Sequence, residues 1–150
     1  MQDTLEYPST LIAIADLKSR SDDGELALKF AAQALDHSKS VEQLIEAKAL
    51  LASILATSRS GKAASGHADD ALSLAGRLGS PWYLGRAETS AARAARAIDD
   101  FDSARKLYER ALRHFDGCGA AVDAALVLTE CAPLGSLAAG HPVDFPASLP

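Results

Sequence analysis

The sequence predicts an all-α fold, a stack of about seven helices built from a repeated helix-turn-helix unit. Three observations carry this. Alanines recur seven residues apart, as Ala27 and Ala34, Ala64 and Ala71, and Ala104 and Ala111, and leucine follows each pair at Leu35, Leu72 and Leu112. The second alanines are separated by 37 and then 40 residues, and self-similarity at such a period marks a stacked repeat. Ile14-Ala15, Leu51-Ala52 and Ala91-Ala92 precede the first alanine of each unit by 12 or 13 residues, so the upstream half repeats too. Seven residues is about two helical turns, which puts Phe101, Ala104, Tyr108 and Ala111 on one stripe. Alanine on a buried stripe lets a neighbouring backbone approach, and the aromatics fill the space beside it.

Residues 1–8 read as a lead-in ending at Pro8. Helix one is expected over about 9–19 with Leu11, Ile14, Ala15 and Leu17 inward, and "SRSDDGE" breaks it. Asp22 or Asp23 can cap helix two, about 24–37, by accepting from its orphan N–H groups. Helix three, about 41–58, repeats Leu44, Ala47, Leu51 and Leu55 at a helical period. Helix four runs to Leu78, where Gly79 is a fitting stop, and Pro81 suits the first turn of helix five. Asp99 or Asp100 caps helix six, and Gly117 and Gly119 end it. Helix seven, about 120–131, is apolar at Val122, Ala125 and Leu126, with Thr129 on the same face. Residues 133–150 hold four of the six prolines and read as a flexible or surface-draped tail, with Leu137, Val143 and Phe145 as candidate docking residues.

Composition narrows the function classes. A 150-residue chain suits one domain of helical repeats over residues 9–132. Net charge is −5, which gives no general attraction to nucleic acid or to an anionic membrane. The longest apolar runs, Leu11–Ala15 and Ala124–Leu128, are far shorter than the roughly 20 residues of a membrane span. No signal peptide is visible and two cysteines need not pair, so a cytoplasmic location is expected.

The helix pairs resemble tetratricopeptide repeats (TPRs). "DDFDSARKLYERALRHF" is the clearest match, with Phe101, Ala104, Tyr108 and Ala111 where that family places aromatic and small packing residues. "RLGSPWYLGRAETSAARAARAIDDFDSA" is similar to the roughly 40-residue variant found in bacterial transcriptional activators and signalling ATPases. In the first two units Ala31 and Ala68 replace the aromatic, and Gly24 and Gly61 stand where Phe101 does. The resemblance implies a right-handed α-solenoid of three repeats plus a capping helix, acting as a protein- or peptide-binding scaffold or adaptor. The alternative it implies is a regulatory or sensor fragment, related to those bacterial arrays, that binds an effector or partner in trans.

Chemical motifs are weak beside this. The Gly61-Lys62 pair lacks the first glycine and the hydroxyl of a phosphate loop, since Ala56 and Ala63 occupy those places. His114 and Cys118 lie one turn apart and Cys131 is expected near them in a stacked array, but only His141 in the tail offers a further ligand, too few ordered ligands for a metal. No serine sits in a nucleophile elbow, and the acid pairs Asp69-Asp70 and Asp99-Asp100 fit capping or solvation. Trp82 and Tyr83 read as packing residues. Neither enzymatic activity nor a cofactor nor a metal is expected.

The resemblance places the first helix of each pair along a groove. The positions opposite the buried Leu51-Ala52-Leu55 set are Glu46, Ala49, Ser53 and Ala56 on helix three. Matching places hold Ser9, Ile12, Asp16, Ser19 and Arg20 on helix one, and Arg86, Thr89, Arg93 and Arg96 on helix five. The candidate partner-binding residues are therefore Arg86, Thr89, Arg93, Arg96, Glu46, Ser53, Asp16 and Arg20. Arg86, Arg93 and Arg96 share one helical face, so the expected partner is a protein or peptide with an acidic segment. A homo-oligomer is compatible with this reading; nucleic acid and membrane are not expected. The chain has no asparagine, which sets aside the chaperone-type carboxylate clamp.

Overall fold

The computed structural model describes residues 7–58 and 60–134. Seven α-helices lie within them: α1 (Tyr7–Arg20), α2 (Gly24–His37), α3 (Val41–Thr57), α4 (Gly61–Leu78), α5 (Pro81–Ala97), α6 (Phe101–Gly117) and α7 (Ala121–Cys131). A 3-10 turn at Ala132–Leu134 follows, and no strand occurs among the described residues. The expected lead-in falls mostly on residues 1–6 and the expected tail on residues 135–150, both outside the described residues; Pro8 already belongs to α1.

Side-chain caps fix several helix starts. Asp23 accepts from the Leu26 N–H, Ser40 from Gln43 and Asp100 from Ser103. Each satisfies a donor that the helix cannot. The residue before each capping aspartate, Asp22 and Asp99, turns the chain with φ of 66° and 62°. Aspartate tolerates this left-handed region better than most residues. Gly79, at φ 70°, closes α4 in the same region.

The helices pack as three hairpins, α1 with α2, α3 with α4 and α5 with α6, and α7 closes against α6. The first helices α1, α3 and α5 also lie side by side, so the fold is a helical-repeat solenoid. The six period-marking alanines, Ala27, Ala34, Ala64, Ala71, Ala104 and Ala111, are all fully buried, as are Ala15, Ala52 and Ala92. They are the seams where backbones approach. Glycine serves the same end at two points: a Cβ on Gly61 would collide with Ile98, and one on Gly85 would lie 2.7 Å from the Phe115 ring.

Several expected orientations are corrected. Ile12, assigned to the groove, is buried with Leu11 and Ala15 against α2 and α3, while Leu17, assigned inward, is exposed. Ala49 lines the groove as expected but is almost fully buried beside Ala71, Ala75 and Ala87, because α3 is covered on both flanks, by α2 and by α4 and α5. Phe101 is about half exposed because it is the first residue of α6, beyond the edge of the seam. Helix seven turns the opposite way to the expectation. It buries Ala124, Val127 and Cys131, leaving Val122, Ala125, Leu126 and Thr129 exposed. Both faces of α7 are apolar, so periodicity alone does not choose between them.

Candidate functional site: a groove with a four-helix polar ladder

A groove of about 570 Å³ opens along α1, α3, α5 and α7. Of the candidate binding residues, Asp16, Arg20, Ser53, Arg86, Thr89 and Arg93 line it. Glu46 and Arg96 lie outside its lining. Glu46 instead faces the Tyr83 hydroxyl at 3.5 Å, and Arg96 donates to the Glu130 carbonyl at 3.2 Å. Thr89 is buried, its hydroxyl turned back onto the Gly85 carbonyl at 2.7 Å, so it presents little polarity to the groove.

Arg93 stands at the centre. Its Nε and Nη2 donate to the two carboxylate oxygens of Glu130 at 2.7 and 2.6 Å, and Nη1 donates to the Ser53 hydroxyl at 2.9 Å. Ser53 lies 40 residues before Arg93 and Glu130 lies 37 after it, so equivalent positions of consecutive first helices touch. Asp16, one period before Ser53, adds its charge to the same row. The row Asp16–Ser53–Arg93–Glu130 is a polar ladder with one rung per first helix.

The two-pronged guanidinium contact is the strong form of ion pair. Burial, the largest influence on both groups, disfavours their charged forms. It is outweighed: the hydrogen bonds and charge of Glu130 hold Arg93 above its ordinary value, and Arg93 holds Glu130 below the ordinary glutamate range. Tyr108 donates to Glu130 at 3.3 Å, and its phenol is pushed up to about 12 by burial and then by the Glu130 charge.

Arg86 differs from its neighbours. Its guanidinium carbon sits 5.1 Å from the Trp82 ring centroid, a cation–π contact, and it makes no ion pair with any described residue. Trp82 is itself anchored by donating Nε1–H to Asp123 at 3.2 Å. Arg20 is paired with Asp16 at 2.9 Å. Across from α5, Val122 (84% exposed) and Leu126 (48% exposed) form an apolar wall on α7. The groove thus offers Arg86, a cation with no ion pair to a described residue, and the apolar Val122 and Leu126, with the carboxylates of Asp16 and Asp123 also in its lining.

Sequence reasoning missed Glu130, Asp123 and Tyr108 as members of this site. Extending the period past helix five would have found Glu130, since α7 takes the place of the next first helix. It also missed a buried cluster between α5 and α6. Glu88 is fully buried, meets His114 Nδ1, and has Arg110 Nε 2.9 Å from its second oxygen. That arginine contact is an ion pair without hydrogen-bond alignment, since the same oxygen has no hydrogen-bond partner. No group of His, Cys, Asp and Glu able to hold a metal occurs among the described residues, and no described helix is long and apolar enough to cross a membrane.

No protein-family model and no curated protein matches the chain.

Proposed function

We propose that the chain is a TPR-like binding module, cytoplasmic and without chemistry of its own, that receives an extended protein segment in the groove. The observation that carries this is a groove lined both by Arg86, which has no ion pair among the described residues, and by exposed Val122 and Leu126. Arg93 and Arg96 are engaged with Glu130, so the acid-binding capacity expected of three arginines narrows to Arg86. The groove then favours a segment that combines an acidic residue with apolar ones, rather than an acidic run. Apolar burial supplies affinity in such a contact and the charge pair fixes register.

A peptide-display selection against the full chain tests the reading. Selected peptides should combine acidic and apolar residues, lose binding to Arg86→Glu and Leu126→Asp, and keep it with the outward-facing control Arg113→Glu. Ligands indifferent to both groove substitutions would overturn it.

A further inference from the structure

We infer that the exposed face of α7, formed by Val122, Ala125, Leu126 and Thr129, docks on the same face of a second copy of this chain across a two-fold axis. The register of the array shows what this face corresponds to. The contacts of Arg93 with Ser53 and Glu130 set equivalent first-helix positions 40 and then 37 residues apart. By that register Val122, Ala125 and Thr129 match Gly85, Glu88 and Ala92 on α5. All three of those lie against α6: Gly85 on the Phe115 ring, Glu88 on His114 and Arg110, and Ala92 in one cluster with Ala104. The matching positions on α3 are Ile45, Lys48 and Ala52, and they meet α4 in the same way. So α7 exposes the side that α3 and α5 each cover with their own second helix. No such helix follows α7 among the described residues.

Charge points to a second copy as the occupant. Lys48 pairs with Asp70 of α4, and Glu88 pairs with Arg110 and His114 of α6. At the corresponding place α7 carries Ala125, so its face calls for no charged partner. Thr129 donates its hydroxyl to the Ala125 carbonyl at 3.0 Å and brings no unmet donor to the contact. A two-fold axis sets each residue type near itself, and an uncharged face meets its own copy without like-charge repulsion. Direction agrees as well. Gly85 meets Phe115 while Ala92 clusters with Ala104, so a first helix and its second helix are antiparallel. An axis perpendicular to α7 makes its two copies antiparallel too. Centred on the face, it opposes Ala125 of one copy to Leu126 of the other, small against large. Eleven residues make α7 about 16 Å long, so the pair buries less than the roughly 1,200–2,000 Å² of a stable complex and dissociates on dilution. The contact covers Val122 and Leu126 and so excludes the segment proposed for the groove, whereas Ala125 and Thr129 lie outside the groove lining.

Sedimentation of the full chain over a wide concentration range tests this. Wild type should shift from 15.6 kDa toward twice that mass as concentration rises. Ala125→Lys and Ala125→Glu should each weaken association by about ten-fold or more, because like charges then meet beside the axis. Position 125 is exposed, so both variants should keep the helical circular-dichroism signal of wild type. Mixed in equal amounts, the two should restore a dimer that holds one copy of each. A chain that stays at 15.6 kDa at every concentration overturns the inference and leaves the face to a different occupant. Association indifferent to residue 125, or a mixture that stays monomeric, overturns it as well. A mass that grows beyond two copies also overturns it, since head-to-tail contacts do not close. Peptides selected against the groove separate this inference from the groove reading. Ala125→Glu should lose self-association and still bind them, whereas Leu126→Asp should lose both. If no peptide binds but Ala125→Glu still abolishes the dimer, the groove reading fails and this one stands; a monomeric wild type that binds peptides gives the reverse.

Discussion

Arg93 on α5 and Glu130 on α7 occupy equivalent positions of successive first helices and meet through two parallel hydrogen bonds of 2.7 and 2.6 Å. Their side chains are only 28% and 17% exposed, so this pair belongs to the fold as much as to the groove. It also explains how a helix packed against α6 is held at the groove. Ser53 and Tyr108 add bonds from α3 and α6, tying four helices at one point.

Removing one partner of that pair leaves the other poorly compensated. Glu130→Ala and Arg93→Ala should each destabilise by about 2 kcal/mol, the range for hydrogen bonds to charged groups. A double-mutant cycle should return a coupling of about 1 kcal/mol or more. The sequence alone, placing the arginines on an exposed partner-binding face, implies almost no change in stability for charge reversal at Arg93; the ladder implies a clear loss. Urea unfolding of the two single variants and the double variant distinguishes them, and additive effects would mean that the ladder does not couple α5 to α7.

Stability should fall in acid, and the direction follows from Glu130. Its folded pKa is lowered below the ordinary 4.5, so the contribution is present above that value. It is lost as pH falls through the lower folded value, because the unfolded chain takes up the proton first. Glu130→Gln should therefore be less stable than wild type at pH 7, with the gap closing below about pH 4. Tyr108 acts at the other end: with its pKa raised to about 12, its contribution holds below the ordinary 10.0 and is lost as pH rises toward 12. Unfolding curves between pH 3 and 8 for wild type and Glu130→Gln check the acid limb. A gap independent of pH would contradict the ion-pair account.

Glycines separate packing from propensity. Gly85→Ala gains helix propensity but drives a methyl into Phe115, which is 2% exposed and closely surrounded, so it should destabilise by about 1–3 kcal/mol. Gly66→Ala and Gly76→Ala lie in α4 with nothing near the new methyl, and each should stabilise by about 0.5–1 kcal/mol. Thermal melts of the three variants decide. The same sign for all three would remove Gly85 from the seam.

The seams were legible in the sequence because alanine at a fixed period has one physical use, and every period-marking alanine is buried. Helix starts were legible for a similar reason, since Asp23 and Asp100 carry their own capping chemistry. The groove was legible in part. Asp16, Ser53 and Arg93 follow from the period, but the acid that neutralises Arg93 comes from a helix treated as a cap, not as the next rung. The orientation of α7 was not legible, because Val122 and Leu126 compete with Ala124 and Val127 for the core on apolarity alone. Glu88 was illegible for a different reason. A glutamate on a charged helix reads as solvated, and only the placement of His114 and Arg110 on α6 makes its burial tolerable.

The Glu88 cluster is asymmetric in its burial. Glu88 is fully buried, whereas Arg110 and His114 keep 55% and 34% of their side-chain surface exposed. Deleting His114 leaves a carboxylate in the interior with only a misaligned arginine nearby, and an uncompensated buried charge is strongly destabilising. Deleting the carboxylate instead leaves two partly exposed groups that water can solvate. Glu88→Leu, which also supplies apolar contact between α5 and α6, should thus cost less than His114→Ala, which should lower stability by about 2 kcal/mol. Combining Glu88→Leu with His114→Ala should recover much of that loss, because the charge left stranded by the single variant is gone. Chemical unfolding of the two single variants and the pair measures this. A double variant no more stable than His114→Ala would mean that the stranded charge is not the source of the cost.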